Sequence, residues 1–286
     1  MLPVMSASHF SALLLMCLPL LGGPASAAPA PWRDGWGLAA TALPSGTDTP
    51  ATTLQLQQRG QVVQVWAEQA AHGHHLLRLR NRAGATTPIT PRQRVVARPG
   101  RQLLAELPSG HAYALVLDAL PGRPQPVHAP YDYALPFDPA AGVRVHQAAH
   151  GAASHHDAQN RHAWDFALAE GTPVLAARGG RVMAIHGSAC CPTRRAGDGG
   201  NWIRIEHDDG SMAIYAHLQP GSLRVHAGQT VAQGHPLAQV GNTGYSTAAH
   251  LHFAVQHNNG QALHSLPVQM NGPQGRLHAV TGSSAP

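Results

Sequence analysis

The chain has 286 residues, 43% apolar and only 12% charged, a globular composition that excludes an extended disordered polymer and allows one large or two modest domains. A formal net charge of +5 draws such a protein toward polyanions. No basic run interleaved with aromatics marks a nucleic-acid surface, so no nucleic-acid partner is expected.

Phe10–Leu21 (FSALLLMCLPLL) is an apolar run of signal-peptide length. Gly22-Gly23-Pro24 breaks it, and Ala25-Ser26-Ala27 is a small-residue cleavage site. No Lys or Arg precedes the run, and Cys17 within it lacks the small residues that a lipidation site places before the cysteine. Residues 1–27 therefore read as a signal peptide that exports the chain to the periplasm or the medium. The run is too short to anchor in a bilayer, and no transmembrane segment is expected in the mature chain.

Residues 28–50 are rich in Pro, Gly and Ala and read as a linker. From 51 to 120, short alternating runs recur at Leu54–Gln57, Val62–Trp66, Leu76–Leu79, Arg94–Ala97, Leu103–Leu107 and Tyr113–Leu117, punctuated by Pro/Gly turns. This pattern predicts an N-terminal β-sandwich-like domain. A Pro-rich joint, 121–130, leads into a second domain over 131–267, and 268–286 is a C-terminal tail. Strands are expected in the second domain at Pro173–Ala177, Gly180–Ile185, Asn201–His207, Ser211–His217, Thr230–Val231, Pro236–Gln239 and His250–Gln256. No segment longer than about ten residues has helical periodicity, so the expected fold class is all-β.

Outside the leader only Cys190 and Cys191 remain. Neighbours can bond to each other only as a strained vicinal disulfide, which an oxidising compartment permits. With no CxxC spacing, the pair reads as a loop feature and not a metal site. Histidine, at 21 residues, is so abundant that only spacing can single out particular ones.

Three segments meet that test. In His250-Leu251-His252-Phe253 the two histidines lie at i and i+2 of a strand and share a face, while Leu251 and Phe253 point into the core. Such a pair can serve one metal site, one imidazole binding the ion and the other reaching its water. His217 ends the alternating strand Met212–His217. Asp165 sits between Trp164 and Phe166, and if buried it needs a partner, either a metal or the backbone amides of a turn. No HExxH occurs, Glu170 and Glu206 read as structural, and Asn201 is expected to support the groove floor or the substrate.

Together, YAHL (Tyr215–Leu218), GNTGYSTAAHLHF (Gly241–Phe253) and the preceding DFA, GTPVLAA and GGRV blocks (Asp165–Ala167, Gly171–Ala177, Gly179–Val182) resemble the lysostaphin/LasA-type, LytM-like zinc endopeptidases over about Tyr131–Pro267. The resemblance implies a two-sheet antiparallel β groove that cleaves the peptide stems or cross-bridges of bacterial peptidoglycan through a zinc-activated water, with one zinc per chain. It makes Asp165 and His252 zinc ligands and His217 and His250 the catalytic pair that handles the water and the oxyanion. The first ligand departs from the commonest HxxxD spacing, because Arg161 stands four before Asp165 and His162 three before. Relatives with an NRYAxDF-like segment take it from an SH pair upstream, which selects His155 after Ser154, with His156 and His162 as alternatives.

Three other functions would each require features of the sequence that differ from these. A regulator of the same fold that has lost its chemistry would lack HLH or the Asp, and both are present. A biotinyl or lipoyl carrier would match the hairpin at Val225–Leu237 but needs a lysine, and the chain has none. A metal buffer would cluster its histidines in tracts, and these are scattered.

Overall fold

The computed structural model describes residues 48–125, 131–148, 155–273 and 275–277. The expected signal peptide, the linker up to residue 47, the end of the Pro-rich joint, Ser154 and the end of the tail lie outside the described residues.

The first six strands are β1 (Thr53–Arg59), β2 (Val62–Gln69), β3 (His75–Asn81), β4 (Arg92–Val96), β5 (Gly100–Pro108) and β6 (Leu115–Pro121). They form two three-stranded antiparallel sheets, ordered β1-β2-β5 and β4-β3-β6. The alternation read from the sequence explains the pairing. Val65 and Ala67 on β2, Leu77 and Leu79 on β3, and Ala105 and Leu107 on β5 fill the space between the sheets.

Fifteen further strands follow: β7 (Asp132–Tyr133), β8 (Val145–Gln147), β9 (Trp164–Phe166), β10 (Pro173–Leu175), β11 (Gly180–His186), β12 (Pro192–Thr193), β13 (Asn201–Glu206), β14 (Met212–Leu218), β15 (Thr230–Val231), β16 (Pro236–Gln239), β17 (Gly244–Tyr245), β18 (Leu251–Asn258), β19 (Leu263–Leu266), β20 (Gln269–Gly272) and β21 (Gly275–Arg276). Among the described residues the helical structure is a short 3-10 turn at Pro139–Ala141.

The large sheet is antiparallel and runs β15-β11-β13-β14-β18-β9-β8, with β19 added to β18. The antiparallel pair β10 and β16 forms a second layer, and the core between includes Phe137, Phe166, Val174, Tyr215, Leu237 and Phe253. The sequence pattern did not indicate two short parallel pairs, β12 with β17 and β7 with β20.

Glu206 ties the two halves together. Its carboxylate accepts from the His74 backbone N–H at 3.1 Å and lies 2.9 Å from His74 Nδ1. The His72 N–H donates to Met183 O, and Arg78 donates to Gln261. Before β1, Asp48 accepts from Gly187 N–H at 2.7 Å and Thr49 N–H donates to Ile185 O.

Two buried histidines make the fold sensitive to acid. Burial lowers the pKa of His75, beside Gln69, and of His207, beside the Gly179 carbonyl, from 6.5 to about 4. Above the unfolded value their stabilisation is complete. As pH falls from 6.5 toward 4 the unfolded chain takes up protons that the fold refuses, at about 3 kcal/mol for each residue. Unfolding by urea at pH 7, 5.5 and 4.5 is expected to show a progressive fall in stability, and a flat profile would contradict this account.

Candidate active site

Strand register builds one wall-to-wall row of polar side chains. His252 on β18 pairs directly with Asp165 on β9 and with Ala216 on β14, and Asp165 pairs with Gln147 on β8. Directly paired residues share a face. The flanking pairs Leu251 with Phe166 and Phe253 with Trp164 therefore point to the opposite face, where all four are buried in the core. The apolar-polar alternation of WDF and LHF thus sets a carboxylate beside an imidazole with no help from loops.

His217 needs a special backbone. Regular alternation after Ala216 would turn it toward the core with Tyr215. Its φ of +63° breaks that alternation, where β13 and β14 also slip register between Asn201 and Ile203. The imidazole swings to the polar face, with its centroid 4.5 Å from His250 and 5.9 Å from His252. A non-glycine residue in this region costs about 1 kcal/mol or more and persists only where its surroundings enforce it. Here the enforcing contact is His217 Nδ1 to the Thr243 carbonyl, 2.8 Å.

His155 enters from the segment before β9. It is fully buried, its Nδ1 lies 2.9 Å from Ala148 O, and its ring centroid is 5.4 Å from that of His252. His156 is exposed, and His162 donates its backbone N–H to Ser265 Oγ; neither joins the cluster. The structure brings His155, Asp165 and His252 together, with one donor atom from each within 4.8 Å of the others.

Carbonyl oxygens only accept, so the neighbours of these rings fix their tautomers. Nδ1 of His155 donates to Ala148 O, Nδ1 of His217 to Thr243 O, and Nδ1 of His250 to Ala248 O at 2.9 Å. In the neutral rings each Nε2 is left with its lone pair. His155 Nε2 lies 3.2 Å from Asp165 Oδ2, side by side with it and without a hydrogen bond, and it has no other partner in the interior. His252 Nδ1 lies 2.9 Å from Asp165 Oδ1, and Gln147 Nε2 donates to Asp165 Oδ2 at 3.3 Å. Buried lone pairs converging in this way suit a divalent cation, since two imidazoles and one carboxylate form a common three-ligand set.

Without a cation, the electrostatics favour a proton on His155 where the cation would sit. Burial would raise the pKa of Asp165, but its contacts with His155 and His252 outweigh that and hold it well below the usual carboxylate range. Burial disfavours charge on His155, and the Asp165 carboxylate more than offsets it, so its pKa is raised. Burial, with help from neighbouring imidazoles, pushes His217 down to about 3. Burial also lowers His250, whose Nε2 stands 4.0 Å from Asp165 Oδ1.

Two segments wall this face, 187–200 and 241–249. Cys190 and Cys191 are disulfide-bonded in the first, and the two walls meet where Gly244 N–H donates to Cys191 O at 3.0 Å. Of the two parts expected for it, Asn201 takes support of the floor and not substrate contact. It is fully buried, accepts from Ala189 N–H, and donates to Ala189 O and Leu218 O, so it fastens a wall to the sheet and has no surface left for substrate. Sequence reading also missed Gln147 as a partner of Asp165. The only available signal was its place in a short alternating run before the Asp strand.

Residues 159–265 match the sequence profile of Peptidase family M23. A protein of Haemophilus influenzae named an uncharacterized metalloprotease is 36% identical over 108 residues, covering 38% of this chain and 21% of that protein. The peptidoglycan DD-endopeptidase ShyA of Vibrio cholerae is 32% identical over 130 residues, covering 46% of this chain and 26% of ShyA. The chain thus spans about a fifth to a quarter of the length of these relatives. Among solved structures, the peptidase lysostaphin of Staphylococcus simulans is 35% identical, with a TM-score of 0.28 over 33% of this chain and 36% of that one. The matched segment holds Asp165, His217, His250 and His252, and over that segment the chain is similar to Peptidase family M23.

Proposed function

We propose that this protein is an exported zinc metalloendopeptidase that hydrolyses peptide bonds in the stems or cross-bridges of peptidoglycan. One zinc would be held by His155 Nε2, Asp165 and His252. The observation that carries this reading is the facing arrangement of two sets: three converging donor atoms, and beside them two neutral imidazoles, each with its Nε2 lone pair directed away from a carbonyl-bound Nδ1. The substrate class rests on the names of the relatives, and export rests on residues 1–27.

When bound, the ion supplies Lewis-acid polarisation of a carbonyl and lowers the pKa of a water toward about 7. The remaining chemistry belongs to the chain. Gln147 holds Asp165 against rotation. His217 and His250, kept neutral by burial, are each able to accept a proton at Nε2 as the nucleophile attacks. Once protonated, either imidazole becomes a donor for the developing oxyanion or the leaving amine. Their Nδ1–H bonds to Thr243 and Ala248 fix the ring planes so that only Nε2 changes state.

The test is amine release from purified peptidoglycan by the mature chain, with zinc measured on the same sample. About one zinc per chain is expected, with hydrolysis lost on chelation and restored by zinc. Hydrolysis that survives chelation would sink the metal assignment. A zinc-loaded chain that binds peptidoglycan and releases no amine would mark it as a non-catalytic member of the fold.

A further inference from the structure

We propose that the first six strands carry a docking site for a phosphate-bearing polyanion, centred on Arg92 and Arg94 at the mouth of the cleft between β4 and β5. Charge is distributed very unevenly along the chain. Residues 48–125 contain nine arginines against four carboxylates, a net of +5, whereas residues 126–286 contain nine arginines against nine carboxylates. The whole net charge therefore sits on the module that lacks the candidate active site. Within it, residues 69–105 hold seven arginines and no Asp or Glu.

Strand register gathers part of this charge at one opening. Arg92 pairs with Leu79 and Arg94 with Leu77, so both arginines emerge on the face that carries these leucines. Between β4 and β5 lies a cavity of about 330 Å³, lined by Leu77, Leu79, Leu103 and Leu104 and by Arg92, Gln93 and Arg94. Arg94 Nη1 donates to Leu103 O at 2.7 Å, which holds its guanidinium at the rim. Arg98 and Arg101 continue the basic edge, and Arg101 lies over the Trp66 ring at 4.2 Å. Glu68 stands opposite Arg101 in the β2–β5 register, but among the described residues no carboxylate lies within ion-pair distance of any of these four, whereas Arg80 is paired with Asp118 and Arg178 with Asp208 and Asp209.

The chemistry selects the occupant. Two guanidiniums two residues apart on a strand stand about 7 Å from each other. A phosphate offers enough oxygens to be gripped by one planar fork and shared with a second. The apolar floor suits uncharged spacers between phosphates. A linear polymer of phosphates with uncharged spacers therefore fits both the mouth and the floor, and it would hold the peptidase domain at an anionic surface independently of the zinc site.

The experiment uses the mature chain and fluorescently labelled long-chain polyphosphate, with anisotropy read across a potassium chloride series. The double variant Arg92→Gln/Arg94→Gln is compared with Arg144→Gln/Arg276→Gln, which removes the same charge from the other half. Because Arg94 also bonds Leu103, Arg92→Gln/Arg98→Gln serves as a second pair that leaves that bond intact. Affinity is expected to fall by at least about tenfold in both edge variants, and the salt slope to shrink by about one for each guanidinium removed. The control pair should stay within about twofold of the parent. Equal losses in the control, no binding at all, or binding to phosphatidylglycerol vesicles without binding to polyphosphate would each overturn the proposal.

Discussion

The Asp165→Ala protein is expected to fold, to lose its zinc, and to hydrolyse peptidoglycan at least about a thousandfold more slowly than the parent. Asp165 lies at the centre of the candidate metal cluster: Gln147, His155 and His252 lie within 3.3 Å of its carboxylate, and His250 at 4.0 Å. If the proposed zinc site is correct, its removal deletes one of three ligands, and it frees the imidazoles that Asp165 orients. Loss of several kcal/mol of transition-state stabilisation corresponds to about three orders of magnitude in rate. Asp165→Asn separates the two parts of this effect, since the amide keeps the shape and one acceptor but gives up the charge. It should retain weak zinc binding and remain severely impaired. Zinc content and amine release measured on the same samples check both variants. Full zinc occupancy in Asp165→Ala would remove Asp165 from the ligand set.

Gly244→Ala is expected to cost at least about 3 kcal/mol of stability, whereas Gly234→Ala should cost about 1 kcal/mol. Both glycines have positive φ, +73° and +80°, so the backbone penalty is shared. They differ in surroundings. A Cβ on Gly234 meets nothing within 4 Å, while one on Gly244 would overlap Gly200 N and Asp198 O. At that crossing Tyr245 N–H donates to Asp198 O and Asn201 N–H donates to Thr243 Oγ1. Forcing the crossing apart would displace Thr243, whose carbonyl holds His217 in its left-handed conformation. The Gly244→Ala chain should therefore lose activity at temperatures where it is still folded. Urea unfolding of the two variants side by side decides the point, and equal losses would mean that the close approach is unimportant.

The contrast between Asp165 and His217 shows what the sequence can reveal. In WDF and LHF the two-residue period of a strand sorts side chains onto opposite faces, so the polar row and the aromatic core beneath it follow from local pattern. The all-β class follows from the same alternation and from the turns. His217 obeys no such pattern, since it reaches the site through a positive φ that no local rule predicts for histidine. The preference for His155 over His156 and His162 came from resemblance alone, because adjacent histidines in an irregular segment carry no period. For Asn201 the sequence leaves floor support and substrate contact open, because the partners that decide for support, Ala189 and Leu218, lie 12 and 17 residues away. The bond between Glu206 and His74 spans 132 residues, a separation at which alternation says nothing about contact.

The direct pairing of Asp165 with His252 also divides the molecule into parts with unequal freedom to change. Ladder spacing sets the distance between these two side chains, so a single residue inserted or deleted within β9 or at the start of β18 would turn the polar row over into the core. The walls at 187–200 and 241–249 are pinned at separate points, namely the short β12–β17 ladder, Ala189, and the Thr243 and Ala248 carbonyls, and are free of ladder register between them. The groove can therefore be widened, narrowed or recharged through its rims while the floor keeps its geometry. Changes in what the groove accepts belong in the walls, and changes in the floor alter whether it works at all.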